Sequence, residues 1–162
     1  MRRAVYPGTF DPFTNGHLDV LRQTSRVFDE VFVAVLNNPG KRPLFTVEER
    51  IAMINSIIAG IPGIIVEGFM GMLAEYVDMK HADVIVRGLR DTADFENELR
   101  MAHMNRSLNG KVGTIFIPTS HEYGFVSSSL IKDVAMHGGN IEPFVPVNVA
   151  NEMSKRYPVN HN

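Results

Sequence analysis

The sequence predicts an α/β protein built around a doubly wound, parallel five-stranded sheet. Short runs of β-branched and aromatic residues alternate with longer segments whose apolar residues recur near i, i+3 and i+4. Strands that alternate with helices in this way form parallel sheets with right-handed crossovers. The run at residues 31–36 is apolar throughout, as expected for a strand covered on both faces.

The individual elements follow from these patterns in order. Strands are predicted at residues 3–6, 31–36, 64–67, 84–86 and 114–117. Helices are predicted at residues 18–27, 47–58, 72–80, 94–108 and 128–136, with a closing helix near 147–155. Thr46 and Glu49 form a capping-box pattern ahead of the second helix, and Asn109-Gly110 is typical of a helix end.

The amino-acid composition argues against several classes of protein. A chain of 162 residues with 44% hydrophobic content predicts a single domain over residues 1–162. Sixteen basic and eighteen acidic residues give a net charge of −2, which argues against a general nucleic-acid or membrane-surface binder. The sequence has no cysteine, no apolar run near the ~20 residues of a membrane span and no signal-peptide pattern at its start. We therefore expect a cytoplasmic protein.

A glycine-punctuated loop at residues 8–17, Gly-Thr-Phe-Asp-Pro-Phe-Thr-Asn-Gly-His, links the first strand to the first helix. A strand that leads into such a loop and a helix N-terminus presents backbone donors suited to phosphate, and Gly8 is expected to let the backbone approach a ligand closely. Because a positive helix end disfavours an imidazolium, we expect a neutral His17 that donates one N–H to a phosphate oxygen. Taken alone, the Gly-x-His pair indicates no more than a turn with an ordinary first-turn histidine.

Basic residues recur in the loops that follow strands, where open α/β sheets bind ligands. Lys41 follows the second strand, and Arg87 and Arg90 flank Gly88 after the fourth. Arginine presents a planar fork of donors that fits phosphate oxygens. The alternatives are a solvated loop around Lys41 and surface pairing of Arg90 with Asp91, or of Arg87 with a glutamate. Three basic or glycine-rich loops at the same edge favour a ligand site.

Two further segments carry polar side chains at helix starts. Ser127, Ser128 and Ser129 supply a helix cap and hydroxyl donors beside free backbone N–H groups, which suits phosphate, although capping alone explains one serine. Asp94 and Glu96 open the preceding helix, where acids suit the helix dipole, so a structural role is expected for both.

Several blocks resemble the bacterial phosphopantetheine adenylyltransferases of the nucleotidyltransferase superfamily. Residues 14–17, Thr-Asn-Gly-His, match the superfamily's (His/Thr)-x-Gly-His motif, and the longer run from residue 6 is similar to that member family. Residues 93–106 resemble the family's Ala-Asp-Phe-Glu-x-Glu…Ala-His-Met-Asn-Arg block. Residues 126–132 resemble the superfamily's Ile-Ser-Ser-Ser-x-Ile-(Arg/Lys) motif, while Gly124 departs from the expected serine or alanine. The resemblance covers the chain from about residue 3 to residue 136.

The resemblance implies the strand order 3-2-1-4-5 and a set of site residues. His17, Lys41 and Arg90 are the implied catalytic residues, and Thr9, Lys41, Leu73 and Arg87 are the implied contacts of the acceptor. The implied contacts of ATP are Thr9, Phe10, His17, Gly88, Leu89, Arg90, Glu98, Tyr123, Gly124, Phe125, Val126, Ser127, Ser128 and Ser129.

The implied reaction transfers AMP from ATP to 4′-phosphopantetheine and yields dephospho-coenzyme A and pyrophosphate. Because the chain offers no plausible nucleophile for a covalent intermediate, we expect direct in-line attack, with the enzyme supplying positioning and charge neutralisation. Mg²⁺ is expected to arrive with ATP, and no protein metal site is expected, since His103 has no second ligand at i+3 or i+4. The resemblance also implies a homohexamer that is inhibited by coenzyme A.

Two alternatives remain at the level of sequence. A sister enzyme that adenylylates nicotinate mononucleotide or cytidylylates a small alcohol phosphate would share the first loop and the serine motif, but not the block at residues 93–106. A non-catalytic nucleotide sensor would be free to lose His17, Lys41, Arg90 and the serines, all of which are present.

Overall fold

A five-stranded parallel sheet in the order β3-β2-β1-β4-β5 forms the centre of the computed structural model, which describes residues 1–38, 40 and 42–158. The strands are β1 (Arg3–Gly8), β2 (Glu30–Leu36), β3 (Ile64–Phe69), β4 (Val84–Leu89) and β5 (Gly113–Pro118). The order confirms the predicted topology. The strands run one to three residues beyond their predicted ends, because glycine and proline positions such as Gly8 and Pro118 stay in the ladder, paired with Val35 and Leu89.

Within the residues that the structure describes, six α-helices connect and cover the strands. They are α1 (Asn15–Ser25), α2 (Val47–Ile57), α3 (Leu73–Met79), α4 (Thr92–Leu108), α5 (Ser128–Met136) and α6 (Val147–Arg156). The predicted capping box of α2 is confirmed, with the Thr46 and Glu49 side chains each bonded to the other's backbone N–H. The predicted start of α1 at residue 18 was three residues late. Thr14 is the N-cap, and its hydroxyl accepts a hydrogen bond from the backbone N–H of His17.

Apolar clusters hold these layers together, three of them among the residues described. The first lies between the sheet and helices α1 and α2, and the second lies on the opposite face of the sheet and includes Tyr76 and Val77 of α3. The third joins α2, α5 and α6 around Phe45 and Met153. Residues 31–35 of β2 are buried along their whole length, as a central strand covered on both faces requires. Within the described residues, every helix is too short or too polar to cross a membrane.

The sheet's switch point lies between β1 and β4, whose crossovers lead to opposite sides. Helix α1 packs closely against β4 at the switch point. A Cβ added to Gly88 would lie only 2.9 Å from Cγ2 of Val20 in α1, so a larger residue would not fit without a shift. A segment far along the chain completes the start of α1. The backbone N–H of Asn15 donates to the carbonyl of Phe144 at 2.9 Å, and its side-chain amide donates to Pro143 O at 3.2 Å.

Candidate active site

Two adjoining cavities open at the carboxyl ends of the strands. The first, of about 290 Å³, lies between the loop after β1, the end of β4 and the start of α5. The second, of about 420 Å³, lies between the same strand ends and helices α3 and α4. Both are lined by the following shared residues: Pro7, Gly8, Thr9, Arg87 and Glu98. A molecule in one cavity therefore touches the wall of the other.

The loop after β1 has an unusual backbone. Phe10 adopts φ = +51°, in the left-handed region that non-glycine residues rarely occupy. Its ring lies under Gly8, where an added Cβ would be 2.8 Å from the ring. The glycine at position 8 is thus needed to make room for Phe10, in addition to any close approach by a ligand. Such conformations persist when the surrounding structure fixes them, and they cluster at functional sites.

His17 is the third residue of α1, and its ring is held from several sides. Nδ1 lies 3.0 Å from the backbone N–H of Thr14, which can only donate, so Nδ1 is unprotonated and Nε2 carries the ring hydrogen. The rings of Phe10 and Phe13 pack against the imidazole at centroid distances of 5.1 and 5.4 Å. This arrangement fixes the tautomer and leaves Nε2–H as the ring's donor.

The electrostatic surroundings keep this ring neutral. Burial is the main cause that lowers the pKa of His17, from 6.5 to about 3, and the positive charges of Arg90 and Arg87 lower it further. His17 also lines the first cavity. At neutral pH the residue can therefore act as a hydrogen-bond donor and cannot act as a charged acid.

Arg87 forms a bidentate ion pair with Glu98 in the wall that the two cavities share. Its Nε and Nη2 each donate to one carboxylate oxygen at 2.6 Å, and Nη1 donates to the carbonyl of Pro7 at 2.7 Å. Burial alone would lower the pKa of the guanidinium, but the hydrogen bond and charge of Glu98 outweigh it, and the net shift is upward. The charge of Arg87 is thus fixed in position before any ligand enters.

Arg90 is paired in the same manner with Asp94. Its Nε and Nη2 donate to the two carboxylate oxygens at 3.2 and 3.0 Å, and both residues line the first cavity. Burial raises the pKa of Asp94, but the hydrogen bond and charge of Arg90 prevail and lower it. Asp91, the alternative partner considered from the sequence, instead caps α4 by accepting from the backbone N–H of Asp94 at 2.8 Å. The expected structural role of Asp94 stays a prediction, to which the structure adds that this carboxylate pairs with Arg90 and lines the first cavity.

The three serines at the start of α5 have different surroundings. Ser127 is the N-cap and accepts a hydrogen bond from the Leu130 N–H at 3.1 Å. The hydroxyl of Ser128 donates to the carbonyl of Pro12 at 2.8 Å, which ties α5 to the loop after β1. Ser129 is exposed, and all three serines line the first cavity. The first-turn backbone N–H groups of α5 can receive an anion here.

The structure brings most of the predicted site residues together. Those that line a cavity are Thr9, Phe10, His17, Leu73, Arg87, Gly88, Arg90, Glu98, Val126, Ser127, Ser128 and Ser129. Those that line neither cavity are Leu89, Tyr123, Gly124 and Phe125. Tyr123 packs against the cluster between α2, α5 and α6, and the ring of Phe125 contacts that of Phe144 at 5.5 Å. Lys41, implied as a catalytic and acceptor-binding residue, lies outside the described residues.

Some lining residues were not identified from the sequence. Besides Asp94, they include an α4 face made of Met101, Ala102, Met104, Asn105 and Leu108 in the second cavity. The spacing of residues 101, 104, 105 and 108 follows one helix face, which was a usable signal. Among the described residues, the structure brings together no group of three or more histidine, aspartate or glutamate side chains able to hold a metal ion.

Comparisons with known proteins agree with this architecture. Residues 5–134 match the family described as cytidylyltransferase-like. The chain is 46% identical over 159 residues to phosphopantetheine adenylyltransferase from Nostoc punctiforme, covering 98% of this chain and 86% of the relative. It is 50% identical over 146 residues to phosphopantetheine adenylyltransferase from Clostridium novyi, covering 90% and 91%.

A solved structure from Vibrio parahaemolyticus, named "Putative Nicotinate-nucleotide Adenylyltransferase", superimposes with a TM-score of 0.69. The alignment covers 96% of this chain and 93% of that one, at 16% identity. At this identity the similarity shows a shared fold alone.

Proposed function

The chain belongs to the cytidylyltransferase-like family and, within it, to the phosphopantetheine adenylyltransferases, and from this premise we propose that it transfers AMP from ATP to 4′-phosphopantetheine. The products are dephospho-coenzyme A and pyrophosphate, so the reaction belongs to coenzyme A biosynthesis. Neither a sister enzyme with another acceptor nor a non-catalytic sensor is favoured, since relatives covering 90% or more of the chain carry the pantetheine enzyme's name.

The observation that supports this function best is the pair of adjoining cavities. The first combines a neutral histidine, two arginines and a helix N-terminus, which suits the phosphates of ATP. The second is lined mainly by apolar side chains, including Leu36, Phe69, Leu73 and Met101, which suits the long, weakly polar arm of pantetheine. The wall between them, at Thr9 and Arg87, is where the acceptor phosphate would meet the nucleotide.

The chemical step is an in-line displacement at the α-phosphorus of ATP. An oxygen of the acceptor phosphate forms the new P–O bond, the bond to the bridging oxygen of the pyrophosphate group breaks, and pyrophosphate leaves with the electron pair. The acceptor phosphate is already largely ionised near neutral pH, so no base is needed. Negative charge builds on the α-phosphoryl oxygens, where the Nε2–H of His17 would donate a pre-oriented hydrogen bond.

The arginines would bind phosphate while they stay paired with acids. Bidentate pairing holds the guanidinium planes of Arg87 and Arg90 in fixed directions. Nη1 of Arg90 is not used by the carboxylate; one of its two N–H groups donates to the carbonyl of Val126 at 3.4 Å, which leaves the other for a ligand. Pre-organised donors lose less entropy when they bind substrate. In this proposal Arg90 faces the phosphates of ATP, and Lys41 and Arg87 face the acceptor.

Mg²⁺ enters as part of the ATP substrate in this proposal. The two cavity carboxylates, Asp94 and Glu98, are each bound to an arginine, so the phosphate oxygens of ATP are the ligands best able to hold the ion. The ion would supply charge neutralisation on the leaving pyrophosphate. The chain's own residues position the two substrates and the His17 donor.

We further propose a homohexamer, inhibition by coenzyme A and a cytoplasmic location. The apolar side chains exposed on α4, such as Met101, Met104 and Leu108, support association between copies. Coenzyme A contains the pantetheine and adenylyl groups of the product, so it could occupy both cavities at once. Light scattering coupled to gel filtration and inhibition kinetics with coenzyme A test the first two proposals, and cell fractionation tests the third.

The test of the activity is pyrophosphate release from ATP with defined acceptors. We expect release with 4′-phosphopantetheine and no release above background with nicotinate mononucleotide or without an acceptor. Mass spectrometry should identify dephospho-coenzyme A as the second product. Equal or faster turnover with nicotinate mononucleotide would contradict the proposed acceptor.

A further inference from the structure

A buried arginine outside the predicted site holds the wall of the second cavity. Arg50, in the first turns of α2, is only 2% exposed, and its guanidinium donates to four backbone carbonyls. Nε binds the carbonyls of Phe45 and Thr46 at 3.1 and 3.2 Å. Nη1 binds the carbonyls of Thr9 and Leu36 at 2.6 and 3.0 Å. Burying a charge is costly unless it is well hydrogen-bonded, and these four bonds meet that requirement. Removing the guanidinium would therefore leave several carbonyls without their partner.

The carbonyls bound by Nη1 belong to two separate parts of the cavity wall. Thr9 follows β1 and lines both cavities, whereas Leu36 ends β2 and lines the second. A single nitrogen thus ties together the ends of neighbouring strands at the place where the acceptor would lie. Phe10, the residue after Thr9, has a left-handed backbone conformation. Such a conformation persists only where the surrounding structure fixes it, and the bond from Arg50 to the Thr9 carbonyl is one contact that does so.

The other side of the same loop is fixed by Asp11. Its carboxylate accepts hydrogen bonds from the backbone N–H groups of Leu44 and Phe45 at 2.8 and 2.9 Å, and from Nζ of Lys132 at 3.2 Å. Arg50 also binds the carbonyl of Phe45. The segment that leads into α2 is therefore bonded to the loop after β1 through one residue on each side of Phe10.

We propose that Arg50 is a positioning residue for adenylyl transfer, one that sets the position of Thr9 and Leu36 for the acceptor. The inference rests on the proposed function, because it names the acceptor side as the one affected. Loss of the guanidinium would free the Thr9 carbonyl and let the shared wall shift. A displacement of about 1 Å in a positioned substrate can lower the rate about 100-fold.

The experiment compares Arg50→Met and Arg50→Lys with the wild type in steady-state kinetics, at a temperature where circular dichroism shows each protein to be folded. Arg50→Met removes all four hydrogen bonds. Arg50→Lys keeps a positive charge that can bond to the carbonyls of Thr9 and Leu36. It lacks the second nitrogen that binds the carbonyls of Phe45 and Thr46. We expect kcat/KM for 4′-phosphopantetheine to fall about 10- to 100-fold in Arg50→Met and less in Arg50→Lys, with the KM for ATP changed less than about threefold.

Arg156→Met is the matched control. Arg156 pairs with Glu49 and lies over the ring of Phe45, so it also contacts the start of α2, but it lines neither cavity. Its removal should lower thermal stability while leaving the kinetic constants of both substrates unchanged. Equal changes in the KM for both substrates, or no kinetic change in folded Arg50→Met, would overturn the inference.

A second measurement separates this inference from the proposed activity. Without substrates, amide hydrogen exchange in the peptide that spans residues 7–14 should be faster in folded Arg50→Met than in the wild type, because the bond to the Thr9 carbonyl is lost, and exchange in α6 should be unchanged. Unchanged exchange at residues 7–14 would refute a positioning role, whatever the reaction. Absence of pyrophosphate release from the wild-type enzyme would refute the proposed function, and the exchange result would still decide whether Arg50 fixes the loop.

Discussion

The neutral His17 predicts a specific dependence of stability on pH. The pKa of its ring is lowered to about 3 in the folded protein, against 6.5 as the ordinary value. Between these values the unfolded chain binds a proton that the folded protein does not bind. The contribution of His17 to the free energy of unfolding is therefore fully present above pH 6.5 and is lost progressively as the pH falls toward 3.

The size of the effect at pH 5.0 depends mainly on the ordinary pKa of histidine, which applies to the unfolded chain. At pH 5.0 the solution is 1.5 pH units below the ordinary histidine pKa and still above the folded one. At about 1.4 kcal/mol per unit, His17 should remove about 2 kcal/mol of the free energy of unfolding between pH 7.5 and pH 5.0. Any folded pKa below about 4 gives nearly the same result.

The assay is urea unfolding of the wild type and His17→Gln at both pH values. Glutamine is a usual capping-box residue at this helix position, so its carbonyl can accept the Thr14 N–H while the side chain does not titrate. The loss between pH 7.5 and 5.0 should be about 2 kcal/mol smaller in His17→Gln than in the wild type. His103→Gln, which replaces an exposed histidine on α4, is the control and should keep the wild-type loss. Equal losses in the wild type and His17→Gln would refute an imidazole that the folded protein keeps neutral below its ordinary pKa.

Three further predictions test the site. His17→Ala should lower kcat about 100- to 1000-fold with little change in ATP affinity, as for other lost transition-state donors, and near-normal turnover of the folded variant would refute this role. Calorimetry should show that Lys41→Ala mainly weakens binding of 4′-phosphopantetheine and Arg90→Ala mainly that of ATP; the placement of Lys41 rests on the sequence, and identical profiles would contradict it. Gly88→Ala should cost about 1–3 kcal/mol in urea unfolding, because its Cβ would press on α1, whereas an unchanged midpoint would show that α1 can shift.

The sequence predicted the parts of the fold that depend on local pattern. The continuous apolar run of β2 and the Thr46 capping box are encoded within a few neighbouring residues, and the structure confirms both. Strand ends were less predictable, since Gly8 and Pro118 look like chain breaks and still lie in the ladder. The strand order was available only through the resemblance, because no local pattern records which strands become neighbours.

The predicted site was incomplete for a related reason. Asp94 looks like an ordinary first-turn acid, and only the structure shows that it is bonded to Arg90 in the wall of the first cavity. Arg50 looks like a surface charge on an amphipathic helix, and its four carbonyl partners come from three separate segments of the chain. Such roles depend on contacts between distant residues, which residue type and spacing do not encode.

The contact between Asn15 and the segment at Pro143 and Phe144 bears on how the protein acquires activity as it folds. These residues are 128 and 129 positions apart, and contacts between such distant positions are costly in loop entropy before other contacts offset it. The first free donor of α1 is therefore satisfied only once the C-terminal segment has docked. In refolding experiments, catalytic activity should recover more slowly than helical circular dichroism, at the rate at which α6 packs against α2. We therefore expect docking of the C-terminal segment to set when the loop at residues 8–17 becomes functional, and activity that recovers together with helical circular dichroism would contradict this.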